Sequence, residues 1–318
     1  MSKKIYRIGI MGYGQVAQNQ MRVAIDSSDR VELGAVASLG NKEVKNFSGP
    51  VYDNYEDLLK DDSIDIMYIS TPNTMHPHWT IKSLEAQKHV LCEKPLAMNK
   101  EDFLQVKEAA LQSNKALMEG FMYRYMKRMD RLDEVLASGI IGDITYISSN
   151  FFSLRSRLTG IRSSKKLGGG SLWDLGVYPI SLISHLFPNQ KPTYVTALAK
   201  QEGEVDAYVA GEMGFSSKVI ASFSCGWISD VRTIETRIIG TKGVIEVERL
   251  FNWEGGSLSI ITDQGKTTEE FSKEDPFLLE LHNYVDHLEQ SEPLRITLDQ
   301  SEHIIELMNM VEKAILFI

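Results

Sequence analysis

The sequence has only two cysteines in 318 residues, Cys92 and Cys225, far apart and too few to build a disulfide framework. A reducing compartment fits that scarcity. No apolar run approaches the roughly 18 residues that a membrane span requires. Positive charge is also in short supply: the formal net charge is −9, and no basic stripe is available to neutralise phosphates, which argues against nucleic acid as a partner. The opening MSKKIYRIGIM has two lysines, but its apolar stretch is too short for a secretory leader and runs straight into a glycine-rich turn. Repeats, low-complexity tracts and long linkers are missing as well. What is present is ordinary for a folded chain, with 43% apolar and 24% charged residues over a length that suits two domains. The expectation is a soluble, cytoplasmic protein with a small-molecule partner, no membrane and no nucleic acid.

The first 120 residues alternate between strand and helix patterns. Short apolar runs at Tyr6–Met11, Val31–Ser38, Ile64–Ser70, His89–Cys92 and Ala116–Gly120 read as strands buried on both faces, as in a parallel sheet. Helical stretches fall between them at Gln15–Asp26, Tyr55–Lys60, His78–Ala86 and Lys100–Gln112. That rhythm predicts right-handed crossovers and a doubly wound sheet. Beyond about residue 122 the pattern changes. An amphipathic helix (Met129, Leu132, Leu136) ends at Gly139, and a strand at Ile144–Phe152 leads into a basic loop with Arg155, Arg157, Arg162, Lys165 and Lys166. A second helix opens at Gly168-Gly169-Gly170, and Thr193 to Phe271 is nearly all strand. Two helices close the chain, one with Phe277, Leu281, Tyr284 and Leu288 on a face, the other with Ile304, Met308, Val311 and Ile315. The predicted architecture is α/β: a doubly wound parallel-sheet domain over residues 1–121, then an α+β domain over 122–318 with a large, mainly antiparallel open sheet. The terminal helix is free to pack back on the first domain.

Gly12-Tyr13-Gly14-Gln15-Val16-Ala17 is a G-x-G-x-x-A run directly after a strand and directly before a helix. Gly12 permits the tight turn, Gly14 lets backbone approach a pyrophosphate, and Ala17 allows close helix–strand packing. The helix start, through Gln15 and Val16, supplies N–H groups and the positive end of a dipole. Alone the run is weak evidence, since glycines also make ordinary turns; here both flanks match a Rossmann-type dinucleotide site. At the end of the second strand, where an NAD enzyme usually places an acid, stands Ser38. Ser38 can donate to a 2′-phosphate, with Lys42 or Lys45 as a source of charge, so NADP is favoured over NAD. The bland alternative is a strand-end serine beside solvated lysines.

Three further loops follow predicted strands: Ser70-Thr71-Pro72-Asn73-Thr74-Met75-His76, Cys92-Glu93-Lys94-Pro95-Leu96-Ala97, and Met118-Glu119-Gly120-Phe121-Met122-Tyr123-Arg124. With Gly168–Pro179 (GGGSLWDLGVYP) and Ile239–Ile245, their order and spacing resemble the Gfo/Idh/MocA oxidoreductase family over nearly the whole chain. The nearest branch is the one with dimeric dihydrodiol dehydrogenase and NADP-dependent D-xylose dehydrogenase. The resemblance implies that Lys94 is an active-site lysine contacting substrate and nicotinamide. It implies that Asp174 and Tyr178 form a second catalytic cluster, with tyrosine where many relatives have histidine. Thr71, Pro72, Asn73, His76 and Glu93 fall on the cofactor side, and Tyr123, Arg124 and Trp173 on the substrate side. Sugars or related polyols as substrates, and a homodimer or homotetramer through the open face of the second sheet, follow in the same way.

Physical reasoning runs parallel to the resemblance. Ligands of open parallel sheets bind beyond the carboxyl ends of the strands, where Thr71, Lys94 and Tyr123 all fall. Asp174 and Tyr178 are four apart on one predicted helix and share a face. Oxidising an alcohol requires a base for the hydroxyl proton while hydride leaves carbon; tyrosine, near pKa 10, needs a neighbouring ammonium to stabilise its phenolate. Tyr178 is therefore expected to be the acid/base, Lys94 the electrostatic and orienting group (or itself the proton carrier), and Asp174 a partner of Lys94 or of a substrate hydroxyl. Structural alternatives exist for each: Lys94 as a loop lysine, Tyr178 as core, Asp174 as a favourable charge in the first helical turns. His76 reads as a structural hydrogen-bonding residue, and His76 with His78 lacks further ligands at metal spacing, so no metal is expected. Arg124, Arg155, Arg157 and Arg162 suit either an anionic substrate or a solvated surface, and Trp227 and Arg237 are candidates for shaping the pocket from the sheet. Two other functions use the same features: a glycosidase-like enzyme whose NAD is reduced and reoxidised within each turnover, and a non-catalytic nucleotide-binding sensor.

Overall fold

A computed structural model describes residues 4–39 and 44–318. The chain divides into two units: the part up to Met122 together with Asp275–Ser301, and Tyr123–Glu274 together with Glu302–Ile318.

The first unit is built on a six-stranded, all-parallel sheet. In chain order its strands are β1 (Tyr6–Met11), β2 (Val31–Ala37), β3 (Val51–Tyr52), β4 (Ile66–Ile69), β5 (His89–Glu93) and β6 (Leu117–Gly120), arranged β3-β2-β1-β4-β5-β6. The strand order reverses between β1 and β4, which creates the crevice where doubly wound sheets take ligands. β1 and β4 are almost wholly buried, as their unbroken apolar text requires of strands covered on both faces. Residues 15–26 form one continuous helical stretch that includes a π turn at Ala17–Met21 and ends in α1 (Arg22–Asp26). The remaining helices of this part are α2 (Tyr55–Leu59), α3 (His76–Glu85) and α4 (Lys100–Ser113). Asn54 and Asn99 cap α2 and α4, each side-chain oxygen accepting the N–H three residues on, of Asp57 and Asp102. The returning helix α7 (Pro276–Leu288) buries Phe277, Leu281 and Tyr284, while Leu288 is only half-buried. The Tyr284 hydroxyl lies 2.8 Å from the carbonyls of both Val90 and Ala116.

The second unit has α5 (Lys127–Ala137), β7 (Ile144–Leu154), α6 (Val177–Leu186), β8 (Tyr194–Glu202), β9 (Val205–Gly214), β10 (Ile220–Ser229), β11 (Glu235–Gly240), β12 (Gly243–Glu248), β13 (Gly256–Thr262), β14 (Gly265–Phe271), most of α8 (Leu298–Ala314), and β15 (Ile315–Phe317). The nine strands order as β14-β13-β12-β11-β7-β10-β9-β8-β15. Most neighbours are antiparallel, but β7 pairs with β10, and β8 with β15, in parallel. Ile315 therefore belongs to an edge strand and not to the face of the last helix; Ile304, Met308 and Val311 are the residues that face turns inward. The triple glycine precedes the helix, whose first turn is a π turn at Leu172–Gly176. Among the described residues no helix is long and apolar enough to cross a membrane.

Candidate active site

The cofactor loop of the first unit is made by sterics. Gly12 has φ +89°, and a Cβ there would stand 2.8 Å from the Ser70 carbonyl oxygen at the end of β4. Gly14 meets nothing within 4 Å of an added Cβ, so backbone at the helix start faces open space. Gln15 is exposed and Val16 half-buried beside it. Ser38 is buried just beyond β2, its N–H donating to the Tyr52 carbonyl (3.1 Å); Lys45 is exposed and Lys42 lies outside the described residues. Just past β4, the Thr71 hydroxyl oxygen is buried with no hydrogen-bond partner among the described residues. A clear space at Gly14 and an orphaned hydroxyl at the next strand end fit a dinucleotide, whose phosphates and nicotinamide half need those two groups.

His76 fastens two of the loops together. Its Nδ1 lies 2.8 Å from the Pro95 carbonyl and its Nε2 2.8 Å from the Thr71 carbonyl. A neutral ring donates to only one of them, and burial, the largest influence, lowers the pKa of this imidazole. Pro72 and Asn73, between these anchors, are half-buried, while His78 is exposed. The Glu93 carboxylate, at the end of β5, accepts from Tyr68 on β4 (2.7 Å). Half-buried Lys94 follows, joined to Pro95 by a cis peptide.

Beneath this loop lies a group of acids that sequence reasoning left without a role. Glu119 accepts the Leu96 N–H at 2.8 Å. Burial raises its carboxyl pKa to about 7; Ser301, the Leu96 N–H and Lys94 pull it down, and Glu93 adds to the rise. Glu280, from α7, is 1% exposed and neither carboxyl oxygen has a partner among the described residues. Burial, then the charge of Glu93, pushes its pKa well above the usual carboxylate range. Its Oε1 would stand 3.7 Å from a Cβ at Gly120. The signal was thin: a lone acid within an apolar helix face.

The Glu119 shift has a consequence for stability. Its folded pKa of about 7 exceeds the ordinary 4.5, so the folded form holds the proton more tightly. The penalty is absent below pH 4.5, grows between 4.5 and 7, and stays constant above, at on the order of 3 kcal/mol. Glu119→Gln keeps the acceptor for Leu96 and removes the penalty. Thermal unfolding should show the variant several degrees more stable than the parent at pH 8 and level with it at pH 4.5 or below; an equal difference at both pH values would refute the assignment.

In the second unit, Tyr178 lies in an aromatic surround: ring centroids of Phe151, Phe251 and Tyr123 stand 5.2, 5.7 and 6.0 Å away. The Ser181 hydroxyl donates to the Tyr178 carbonyl (2.7 Å), which leaves it to accept from the Tyr123 hydroxyl (2.9 Å). Arg124 is buried and donates to His185 Nδ1 (2.7 Å); with that nitrogen accepting, Nε2 carries the proton and donates to Asp133 (2.7 Å). Asp174 receives Arg162 Nε at 2.8 Å, a pairing the sequence did not suggest. Trp173, expected on the substrate side, is 2% exposed and its indole donates to Glu312 (2.9 Å). Trp227 is likewise buried, and Arg237 faces Glu246 at 3.6 Å on the surface. Among the described residues no three His, Cys, Asp or Glu side chains gather as a metal site.

Residues 6–121 match the model of an oxidoreductase family with an NAD-binding Rossmann fold, GFO/IDH/MocA, and 129–246 match that family's C-terminal domain. The chain is 32% identical to trans-1,2-dihydrobenzene-1,2-diol dehydrogenase of Xenopus laevis over 82% of its own length and 79% of the relative's. The chain belongs to the GFO/IDH/MocA oxidoreductase family. It is an NAD(P)-dependent oxidoreductase of α/β fold. It is also 28% identical to D-xylose 1-dehydrogenase (NADP(+)) 2 of Haloferax volcanii, covering 95% of both chains. Among solved structures, a 3-ketoreductase from Actinomadura kijaniata in complex with NADP and TDP-benzene superposes with a TM-score of 0.90 over 99% of each chain at 22% identity, a likeness of fold.

Proposed function

We propose that this family member interconverts a secondary alcohol and a carbonyl on a sugar or cyclic diol, with NADP preferred over NAD. The observation that carries the reading is the placement of Gly14, Ser38, Thr71 and Lys94 at the carboxyl ends of four adjacent parallel strands, with Gly14 open and the Thr71 hydroxyl unsatisfied. When bound, the nicotinamide accepts or returns hydride. This chain's own groups handle the rest: Tyr178 moves the proton at its phenolic oxygen, Lys94 stabilises the developing alkoxide and orients the substrate, and Asp174 acts through Arg162. Thr71, Pro72, Asn73, His76 and Glu93 shape the nicotinamide side, and Ser38, with no carboxylate at its position, accommodates a 2′-phosphate. Tyr123 and Arg124 stand on the substrate side, with the Tyr123 ring 6.0 Å from that of Tyr178.

The test is direct. Tryptophan quenching should give a tighter Kd for NADP than for NAD, and a panel of aldoses and trans-diols should contain a substrate that changes absorbance at 340 nm. Equal affinities would remove the NADP preference. Sugar conversion without any absorbance change would instead favour a redox cycle completed within each turnover. The same reading includes a cytoplasmic home, consistent with two buried free thiols, and a homodimer through the open sheet face, where Tyr194, Leu198, Ile220 and Leu316 are exposed. Light scattering at the mass of one chain would remove the dimer.

A further inference from the structure

Three chain segments of the second unit deliver arginines to one end of its sheet. Because β7 and β10 pair in parallel, their carboxyl ends lie side by side, with Ser229 opposite Leu154. The tie continues past β10, where Phe152 and Thr233 exchange backbone hydrogen bonds of 2.8 and 3.0 Å. Arg157 follows the end of β7, and Arg232 follows the end of β10. The third, Arg162, lies in the loop that the triple glycine holds down. Gly170 N–H donates to the Arg162 carbonyl (3.0 Å) and Gly169 N–H to that of Ser164 (2.9 Å). A Cβ on Gly169 would stand 2.5 Å from the carbonyl oxygens of both Ile161 and Arg162, so only glycine lets the basic loop lie this close to the helix that carries Asp174 and Tyr178.

The charges gathered there do not balance. Arg157 is exposed, and the charged groups acting on it are two guanidiniums, Arg232 and Arg162, and one carboxylate, Asp174. Burial first, then Arg232 and Arg162, depresses the Arg157 pKa, and Asp174 alone opposes them. That carboxylate is engaged by Arg162 at 2.8 Å. The Nε of half-buried Arg232 is shielded from solvent and has no hydrogen-bond partner among the described residues. Nearby Arg155 turns outward toward Glu202, 3.6 Å away. A fold that concentrates like charge and leaves a buried guanidinium donor unsatisfied carries an energetic cost that a bound anion removes.

We propose that Arg157 and Arg232, flanked by Arg162, form a subsite for an anionic substituent of the substrate, a phosphate or a carboxylate. Guanidinium forks match either group with two parallel hydrogen bonds, where lysines would offer only point charge. The subsite is close to the chemistry assigned above. Asp174 precedes Tyr178 by four residues in one helical stretch, and Phe151 on β7 stands 5.2 Å from the Tyr178 ring. An anionic group carried on the same small molecule as the reacting alcohol is the chemistry of a sugar phosphate or sugar acid. In this account Asp174 is a positioning residue that fixes Arg162. The inference rests on the reading of Tyr178 as the acid/base and names the substrate class for it.

Calorimetric titration of the NADP-saturated protein with glucose 6-phosphate, gluconate and glucose separates the possibilities. Glucose 6-phosphate or gluconate should bind at least tenfold more tightly than glucose, and the stronger of the two identifies phosphate or carboxylate. Arg157→Gln and Arg232→Gln should each weaken that ligand about tenfold, as loss of a hydrogen bond to a charged group does. NADP titration of each variant serves as the check on folding. Equal binding of the three sugars, or parental affinity in both variants, would overturn the subsite. The 340 nm assay reports separately: charged sugars that bind but never change absorbance would count against the oxidoreductase chemistry and leave the anion subsite standing. Turnover of a neutral sugar with no binding of either charged one would do the reverse.

Discussion

Replacing Tyr178 with phenylalanine is expected to lower kcat by about 10²–10⁴-fold while changing KM little, the range for removing a positioned acid/base. The substitution removes only the hydroxyl. The ring keeps its neighbours Phe151, Phe251 and Tyr123, so the aromatic surround is retained. Lys94→Ala should lose a comparable factor, through weaker stabilisation of the alkoxide as well as looser substrate, so that kcat falls and KM rises together. The pH profile divides the roles: if Tyr178 carries the proton, the rising limb of kcat disappears in Tyr178→Phe. If that limb survives there and vanishes in Lys94→Ala, the lysine carries it. Retention of more than a tenth of parental kcat in Tyr178→Phe would end its assignment as acid/base.

The second large effect is on stability, at a residue to which the proposed chemistry gives no part. Arg128 is 1% exposed, and its guanidinium donates to the carbonyls of Glu248 (3.1 Å), Gly255 (2.5 Å) and Asn252 (2.5 Å). Burial lowers its pKa to about 10, so it remains charged at neutral pH. This one side chain holds three carbonyls in and beside the turn between β12 and β13. Arg128→Ala leaves three carbonyls without their donor and opens a cavity, which should cost about 3–5 kcal/mol and lower the unfolding midpoint by about 10 °C. Arg128→Lys should recover only part, since one ammonium cannot reach all three oxygens in the plane that the guanidinium spans. Urea unfolding that shows Arg128→Ala within 1 kcal/mol of the parent would refute this role.

Much of the molecule was legible in the linear text because the relevant physics is local. Gly12 and Gly14 are readable as a phosphate loop, since a positive φ and an open approach are backbone requirements that only glycine meets cheaply. The parallel sheet showed in runs without polar alternation, and the positions of Thr71 and Lys94 followed from strand ends. The helices after Asn54 and Asn99 were legible from their own periodicity, and each cap is satisfied within three residues.

Other features had no local signature. Glu280 lies far along the chain from Gly120, and only the return of α7 to the first unit makes it a buried neighbour of Glu93 and Glu119. Ile315 continued a helical pattern and was expected on that helix, yet pairing with β8 satisfies the last backbone groups and draws it into a strand. Trp173 sat inside a catalytic-looking motif, but its partner Glu312 is on a helix no periodicity could connect to it. The basic loop carried no hint of Arg232, which the parallel pairing of β7 and β10 brings within electrostatic reach of Arg157. The sequence alone thus determined the fold class, the family and the cofactor loop, because backbone sterics and hydrophobic period act over a few residues. The tertiary structure decided which charges meet, because ion pairs and buried acids depend on strand register and helix return over distances that no local propensity encodes.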